Sequence, residues 1–255
     1  LADSAMDALA SLVNLFAVRH ALQPADSEHR FGHGKAEPLA GLGQAAFISA
    51  SGIYLIFEAI GRLIEPRAIE QGALGLGVMI ISIAVTGALV AYQRSVVRRT
   101  DSLAIRADSV HYATDILVNA GVIVSLLLVM FLDWGAADPI VALIIAGFII
   151  YSAFRIARQS LNHLMDRELP DADRDRIKQI ALGHPAVIDC HDLKTRAAGL
   201  NSFIQFHISM DGGLTLDDAH VISDAVELEI LAAFPNAEVI IHADPEGVEE
   251  PRQEF

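Results

Sequence analysis

Long apolar stretches, separated by short polar connections, make up the first two thirds of the chain. Each stretch is close to the roughly 20 residues that a helix needs to cross the hydrocarbon core of a bilayer. Helix-breaking sequences such as Gln23-Pro24 end them. The pattern predicts a multi-pass α-helical transmembrane domain over residues 1–166, with five spans at about 1–22, 36–64, 74–92, 107–132 and 139–160.

After residue 166 the apolar runs become short and take the periods of helices and strands. Residues 201–210 alternate apolar and polar side chains, which is typical of a half-buried strand. Thr215 followed by acidic residues indicates the start of a helix. The order of segments predicts a small αββαβ domain of the α+β class over residues 167–245, too small for an enzyme with a deep pocket. Residues 246–255 are acidic and are expected to be disordered.

Composition agrees with a membrane protein that carries a water-soluble part. Of 255 residues 53% are hydrophobic, and the mean hydropathy is +0.43. The net charge of -14 is uneven, because residues 167–255 hold 18 acidic and 7 basic side chains, a net of -11, which leaves -3 for residues 1–166. The acidic domain therefore suits cations, and no nucleic-acid partner is expected. The single cysteine, Cys190, excludes an intramolecular disulfide and is expected to be a small buried residue in a strand.

Basic residues indicate the orientation in the membrane. In this sequence they concentrate after the first and third spans and at the exit from the fifth. In membrane proteins generally, basic residues of short connections collect on the cytoplasmic side. The soluble domain is therefore expected in the cytoplasm and residue 1 outside, and a further helix upstream would restore an even number of spans. The basic residues concerned are Arg19, Arg30, Lys35, Arg94, Arg98, Arg99, Arg106, Arg155 and Arg158.

Two pairs of polar residues lie inside the predicted spans, each with a spacing of one helical turn. They are Asp3 with Asp7 and His111 with Asp115. A single polar residue in a span is often only a contact between helices, but bare carboxylates are costly in lipid. Together the pairs supply three carboxylates and one imidazole, which suits a tetrahedral divalent metal such as zinc, so we predict a metal or proton site within the membrane.

Three other polar residues of the spans are assigned simpler roles. Asp108 lies one turn before His111 but close to Arg106, and it is expected to face the membrane interface. Asn14 and Glu58 have no matching partner and are expected to make contacts between helices.

The polar connection after the first span holds Asp26, His29 and His33, whose spacings of three and four residues converge on one point in a compact turn. These residues are a candidate second metal site, although histidines in polar loops often have no role.

The soluble domain holds four histidines and an aspartate on predicted strands and a helix. A single strand histidine is usually solvated, but four in under sixty residues favour a multi-histidine metal site, in which Asp244 would bridge two ions. The residues are His191, His207, His220, His242 and Asp244. His20, His163 and His184 match no cluster and are treated as structural.

The sequence contains no glycine-rich phosphate loop and no nucleophile elbow, so neither ATP-driven transport nor a Ser/His/Asp hydrolase is supported. We therefore expect no enzymatic activity and no organic cofactor.

Longer landmarks around these residues resemble the cation diffusion facilitator family, in order and over nearly the whole chain. They are residues 3–7 (DSAMD), 22–26 (LQPAD), 31–37 (FGHGKAE), 97–100 (VRRT), 106–108 (RAD) with His111 and Asp115, 166–167 (DR), 191–193 (HDL) and 239–245 (VIIHADP).

The resemblance implies the family's six-helix transmembrane fold, with the first helix absent from this sequence, and a cytoplasmic domain like a copper metallochaperone. It implies a transport site at Asp3, Asp7, His111 and Asp115, a loop site at Asp26, His29 and His33, and a binuclear cytoplasmic site at His191, His207, His220, His242 and Asp244. Lys35 and Asp166 would form a charged pair that locks two protomers together.

The function implied by this resemblance is proton-coupled efflux of zinc, with cadmium and iron(II) as further substrates, by a homodimer in the bacterial inner membrane. Zinc ions would be both the substrate and the occupants of the cytoplasmic sites. The alternatives are a metal-responsive membrane sensor or a channel without proton exchange.

Overall fold

The computed structural model describes residues 2–65, 73–132, 134 and 136–247, without the side chains of residues 2–10, 73–76, 78, 130 and 132. Residues 248–255 of the expected acidic tail lie outside this description. The chain divides into two compact units, Leu1–Leu164 and Met165–Phe255.

The first unit consists of long helices, which confirms the predicted helical membrane domain. They are α1 (Ala2–Ala21), α2 (Ala36–Ile64), α3 (Ala73–Thr100), α4 (Leu103–Leu132) and α5 (Ala137–Leu164). Within the described residues, four helices are long and apolar enough to cross a membrane: α2, α3 from Met79, α4 as far as Val129, and α5. α1 is not among these four, and its crossing of the membrane stays a prediction.

Large apolar side chains point away from the helix packing. Tyr54, Phe57, Phe131 and Ile144 are each more than two thirds exposed. Water would disfavour so much exposed apolar surface, whereas lipid accepts it.

The most extensive helix packing in the described part of the chain joins α2 to α5. A Cβ atom on Gly52 would lie 2.9 Å from Ile149 Cγ2, and one on Gly41 would lie 2.7 Å from Ser160 Oγ. Glycine at these positions lets the two backbones approach closely, as small residues do in membrane helices. Ile48 and Ile149 are buried in the apolar core beside these contacts.

Asn14 makes the contact between helices expected of it, whereas Glu58 pairs within its own helix. Asn14 Nδ2 donates to the carbonyl oxygen of Ala104 at 3.1 Å, which joins α1 to α4. Glu58 accepts from Arg62 at 2.6 Å, and the same guanidinium donates to Asp138 of α5 at 2.7 Å.

The second unit has the predicted αββαβ order. Its elements are α6 (Asp171–Gly183), β1 (Asp189–Ala198), β2 (Asn201–Met210), α7 (Leu216–Ala233) and β3 (Ala237–Pro245). β2 is the central strand, antiparallel to β1 and parallel to β3. A parallel neighbour requires a crossover, which α7 provides.

The helices of this unit pack on one face of the sheet. Ile204, Phe206 and Ile208 of β2 are fully buried together with Ile177 of α6 and Val226 of α7. α7 begins where the sequence predicted, because Thr215 Oγ1 accepts from the amide of Asp218 at 3.2 Å and caps the helix. The predicted α+β class is therefore confirmed.

Candidate metal sites

The intramembrane candidates lie on α1 and α4. His111 is buried on α4, where its ring lies 5.6 Å from that of Tyr112 and 6.1 Å from that of Phe47. Asp115 follows one turn later and is half-buried. Asp3 and Asp7 fall on the helical backbone of α1, but their side chains lie outside the described residues.

Two hydrogen bonds fix how α1 meets α4. Ser11 Oγ and Tyr112 Oη are 2.8 Å apart, and Asn14 Nδ2 donates to the Ala104 carbonyl oxygen. From Ser11 to Asn14 the residue number rises along α1, whereas their partners on α4, Tyr112 and Ala104, fall in number. The two helices therefore run antiparallel. Asp7, one turn before Ser11, is therefore level with the part of α4 that follows Tyr112.

Asp108 corrects the sequence analysis, which placed it at the membrane interface. The residue is buried between three helices, with 7% of its surface exposed. Its carboxylate accepts from Gln93 Nε2 of α3 at 2.6 Å and from Gln44 Nε2 of α2 at 3.3 Å. The prediction was wrong because two side-chain amides, distant in sequence, supply the hydrogen bonds that make burial of a carboxylate tolerable.

The loop between α1 and α2 brings Asp26, His29 and His33 together. Each offers a ligand atom within 4.8 Å of the others. Asp26 Oδ1 accepts from the amides of Glu28 at 2.9 Å and His29 at 2.6 Å, which holds the carboxylate in place. The pKa of Asp26 is lowered, chiefly by the backbone hydrogen bond from His29. Desolvation acts in the opposite direction, but the amide of Glu28 and the charges of His33 and His29 add to the lowering. Its second oxygen lies 3.5 Å from His33 Nε2.

His20 belongs beside this loop, although the sequence analysis assigned it to no cluster. Its ring centroid lies 4.6 Å from that of His33, in an edge-to-face arrangement with an interplanar angle of 64°. The twelve intervening residues include the end of α1 and a turn, so neither helical nor strand spacing could reveal this contact.

In the second unit the strand register aligns three histidines. His191 of β1 pairs with His207 of β2, and His207 pairs with His242 of β3. Side chains directly opposite one another share a face of the sheet, and the His207 ring lies 5.4 Å from that of His191 and 4.6 Å from that of His242. Asp244, two residues after His242, points to the same face.

Asp244 lies at the centre of this histidine row. Its Oδ2 is 2.9 Å from His207 Nδ1 and 3.1 Å from His191 Nε2, and its Oδ1 is 3.1 Å from His242 Nε2. Desolvation opposes ionisation of the buried carboxyl, but the hydrogen bonds and charges of the histidines prevail and lower its pKa. One carboxylate that faces three imidazoles is a donor set that fits zinc.

His220 takes a different position, on the exposed surface of α7. Its Nδ1 lies 3.5 Å from Asp224 Oδ1, one helical turn later. Participation of His220 in the cytoplasmic site stays a prediction.

Cys190 is buried next to His191, as expected for a small strand residue. Burial, with a smaller contribution from Asp189, raises the pKa of its thiol to about 11. The residue therefore stays protonated at neutral pH and is a poor metal ligand.

Lys35 and Asp166 lie in different units. Lys35 immediately precedes α2, and Asp166 follows α5, where its Oδ1 lies 3.4 Å from Arg196 Nη1. The predicted pair between Lys35 and Asp166 stays a prediction.

Comparison with known proteins covers nearly the whole chain. A family model described as the cation efflux transmembrane domain matches residues 1–165, and one described as the cytoplasmic domain of cation efflux proteins matches residues 169–246. The cation-efflux pump FieF of Shewanella oneidensis is 47% identical over 249 residues, which are 98% of this chain and 84% of that protein. FieF of Salmonella newport is 46% identical over 96% of this chain and 81% of its own length.

Two solved structures are similar to about a third of the chain. The metal-bound C-terminal domain of the CzcD transporter from Thermotoga maritima is 30% identical, with a TM-score of 0.30, and the match covers 31% of this chain and 93% of that one. A structure of CzrB in its zinc form is 34% identical, with a TM-score of 0.32 and coverage of 34% and 99%.

Proposed function

This chain belongs to the cation efflux family, and we propose that it is a homodimeric antiporter that exports divalent metal ions, zinc foremost, in exchange for protons. The family is one of membrane transporters and not a class of enzymes.

The observation that carries the proposal is the antiparallel contact of α1 with α4. Because Ser11 meets Tyr112, Asp7 comes level with the turn that holds Asp115, and Asp3 lies one turn further on. The acidic turns of α1 and the His111–Asp115 turn of α4 then face one ion. We assign Asp3, Asp7, His111 and Asp115 as its ligands.

This ligand set explains both the ion and the exchange. One imidazole and three carboxylates suit zinc and cadmium, and also accept iron(II), whereas imidazole is a poor ligand for magnesium. Zinc requires neutral histidine and ionised aspartate, so protons compete for the same lone pairs. We assign His111 as the coupling residue, because a proton on its imidazole would occupy the nitrogen lone pair that binds the metal.

Alternating access would expose this site to either side while the ion stays near the middle of the membrane. We assign the spans to a bacterial inner membrane and the soluble unit to the cytoplasm, because basic connections collect on the cytoplasmic side of membrane proteins. There the cluster around Asp244, with His220, would bind zinc and regulate or stabilise the transporter. Asp26, His29 and His33 would form a further site in the loop.

Reconstitution into lipid vesicles that contain a zinc-sensitive dye tests the antiport. An acidic interior should drive zinc uptake that rises with the size of the pH gradient. His111→Ala and Asp115→Asn should each abolish this uptake, whereas Asp217→Asn, an exposed change on α7, should preserve it.

The same vesicles separate the alternatives. Zinc uptake that ignores the pH gradient would indicate a channel, which needs weak, repeated binding sites. Zinc binding without any uptake would indicate a sensor. Either result would overturn the proposed exchange.

A further inference from the structure

We propose that His20 is a fourth protein ligand at the loop metal site, where it completes a tetrahedral set with Asp26, His29 and His33 for a borderline cation such as zinc or cobalt(II). The inference rests on the loop site of the proposed function and adds a ligand from another element, the last turn of α1.

His33 is the ring around which the other two histidines gather. The rings of His20 and His29 each have their centroid 4.6 Å from that of His33, with interplanar angles of 64° and 48°. Zinc–nitrogen bonds of about 2.0–2.1 Å set neighbouring ligand atoms of a tetrahedron roughly 3.4 Å apart. The ligand atoms of Asp26, His29 and His33 already lie within 4.8 Å of one another, and the His20 ring, in contact with His33, would have to rotate to bring one nitrogen to the shared ion.

The burial of His33 points to a missing partner. Only 8% of its surface is exposed, and its Nδ1 atom has no hydrogen-bond partner in the described part of the chain. Buried ring nitrogens are ordinarily hydrogen-bonded, so an orphan atom needs an explanation. An ion bound at Nδ1 would satisfy this atom, and Nε2 would then keep its proton beside Asp26 Oδ2.

Asp26 is already arranged as a ligand. Two backbone amides occupy its Oδ1 atom, which leaves Oδ2, the atom 3.5 Å from His33 Nε2, to face the cluster. Gly32, with φ of +74°, turns the chain so that His33 folds back over Asp26.

A fourth ligand changes what the site can do. Three protein ligands leave a position open for water or exchange, whereas four close the site and make it structural. A closed site would fasten the end of α1, the helix that carries Asp3 and Asp7, to the loop that leads into α2. Edge-to-face packing of His20 on His33, without ligation, is the competing explanation of the contact.

Substitution with cysteine gives a direct signature of ligation. In the full chain loaded with cobalt(II), His20→Cys should create a thiolate-to-cobalt charge-transfer band in the near ultraviolet. Native Cys190 is buried and stays a thiol, so the unsubstituted chain should lack the band, and Cys190→Ala in the same background should leave it unchanged. Asp26→Asn combined with His29→Gln should remove it.

Zinc stoichiometry and affinity complete the test. His20→Phe keeps an aromatic ring against His33 but cannot bind metal. It should weaken the affinity for one zinc ion per chain by at least about tenfold. If His20→Phe binds every zinc ion as tightly as the native chain, and the cysteine variant shows no band, the ring only packs and the fourth ligand is wrong.

The failure of the loop site itself gives a different result. If the Asp26→Asn and His29→Gln double variant retains the zinc stoichiometry of the native chain, then no ion binds in the loop. That result would overturn both the loop metal site and the role of His20 as its ligand. Loss of one zinc ion in that variant, with an unchanged His20→Phe variant, overturns the role of His20 alone.

Discussion

Asp244 shows how one buried carboxylate depends on its neighbours. The histidines that surround it lower its pKa below the ordinary value of an aspartate, against the effect of burial. A folded-state pKa below the unfolded one means that ionisation favours the folded state. This stability is present above about pH 4 and is lost as the pH falls through the folded pKa.

We predict that Asp244→Asn lowers the stability of the metal-free cytoplasmic unit by about 1–3 kcal/mol at pH 5, since hydrogen bonds to a buried acceptor are lost or weakened. The difference should shrink as the pH falls through the lowered folded pKa of Asp244, because the native carboxyl then becomes protonated too. Urea titrations in the presence of a chelator, read out by amide exchange in β2, measure the difference at each pH.

Asp217→Asn is the matched control, because it removes the same charge from an exposed position in the first turn of α7. Its free energy of unfolding should stay within about 0.5 kcal/mol of the native value throughout the pH series. An Asp244→Asn penalty that does not change across the acid titration of the native unit would show that the shape of the side chain, and not its ionisation, contributes the stability.

The sequence could reveal a site residue only when its partners lie close to it along the chain. Asp26, His29 and His33 follow one another at helical spacing, so their grouping was visible, and the structure brings them together. Asp108 was misjudged and the ring contact of His20 with His33 was missed, because their partners lie on other helices or beyond a turn. Contacts of that kind depend on tertiary packing, which cannot be deduced from the spacing of residues in a single sequence.

At the level of helices and strands, periodicity predicted more. The αββαβ order and the start of α7 follow from alternation and from the Thr215 cap, and the structure agrees. The helix α3, however, continues to Thr100, past the predicted end of its span near Tyr92. Gln93 and the arginines after it end the apolar run but are good helix formers, so the helix outlasts the hydrophobic segment.

An irregularity in β1 was also invisible in the sequence. The register of β1 against β2 shifts between His191 and Lys194, and Asp192 takes a positive φ of 49°. Bulges of this kind re-aim side chains and are frequent next to functional sites. Here the bulge follows directly after the histidine that reaches Asp244.

Gly52 offers a test of the packing between α2 and α5. Gly52→Ala would place a Cβ 2.9 Å from Ile149 Cγ2 and 2.8 Å from Ile150 Cδ1. Ile149 is buried and stiff at its branched carbon, so we predict a loss of about 1–3 kcal/mol. Thermal unfolding of the protein in detergent measures it.

Gly61→Ala is the control on the same helix, because a Cβ at Gly61 meets nothing within 4 Å. Alanine is the better helix former by about 1 kcal/mol, so this variant should be at least as stable as the native protein. Equal destabilisation by both substitutions would mean that close approach of the two helices is not what requires glycine at position 52.

For the whole molecule, the proposed dimer raises the question of what would hold two protomers together. Asp166 already has a neighbour in its own unit, since Arg196 lies 3.4 Å away. Both side chains are partly exposed, so this ion pair contributes at most about 1 kcal/mol. Asp166 could exchange Arg196 for Lys35 at little cost, which is the requirement for a charged pair that forms on assembly.

We predict that Lys35→Asp or Asp166→Lys alone lowers the fraction of dimer in detergent, because each places two like charges together. The double variant, with the charges exchanged, should restore the dimer. Arg196→Gln should leave the fraction unchanged or raise it, because it removes the competitor for Asp166. Light scattering of the detergent complex gives the mass, and high salt should weaken the effect of each single variant. Full dimerisation of both single variants at low salt would remove this pair from the account of assembly, and the apolar surfaces of the two units would have to carry it alone.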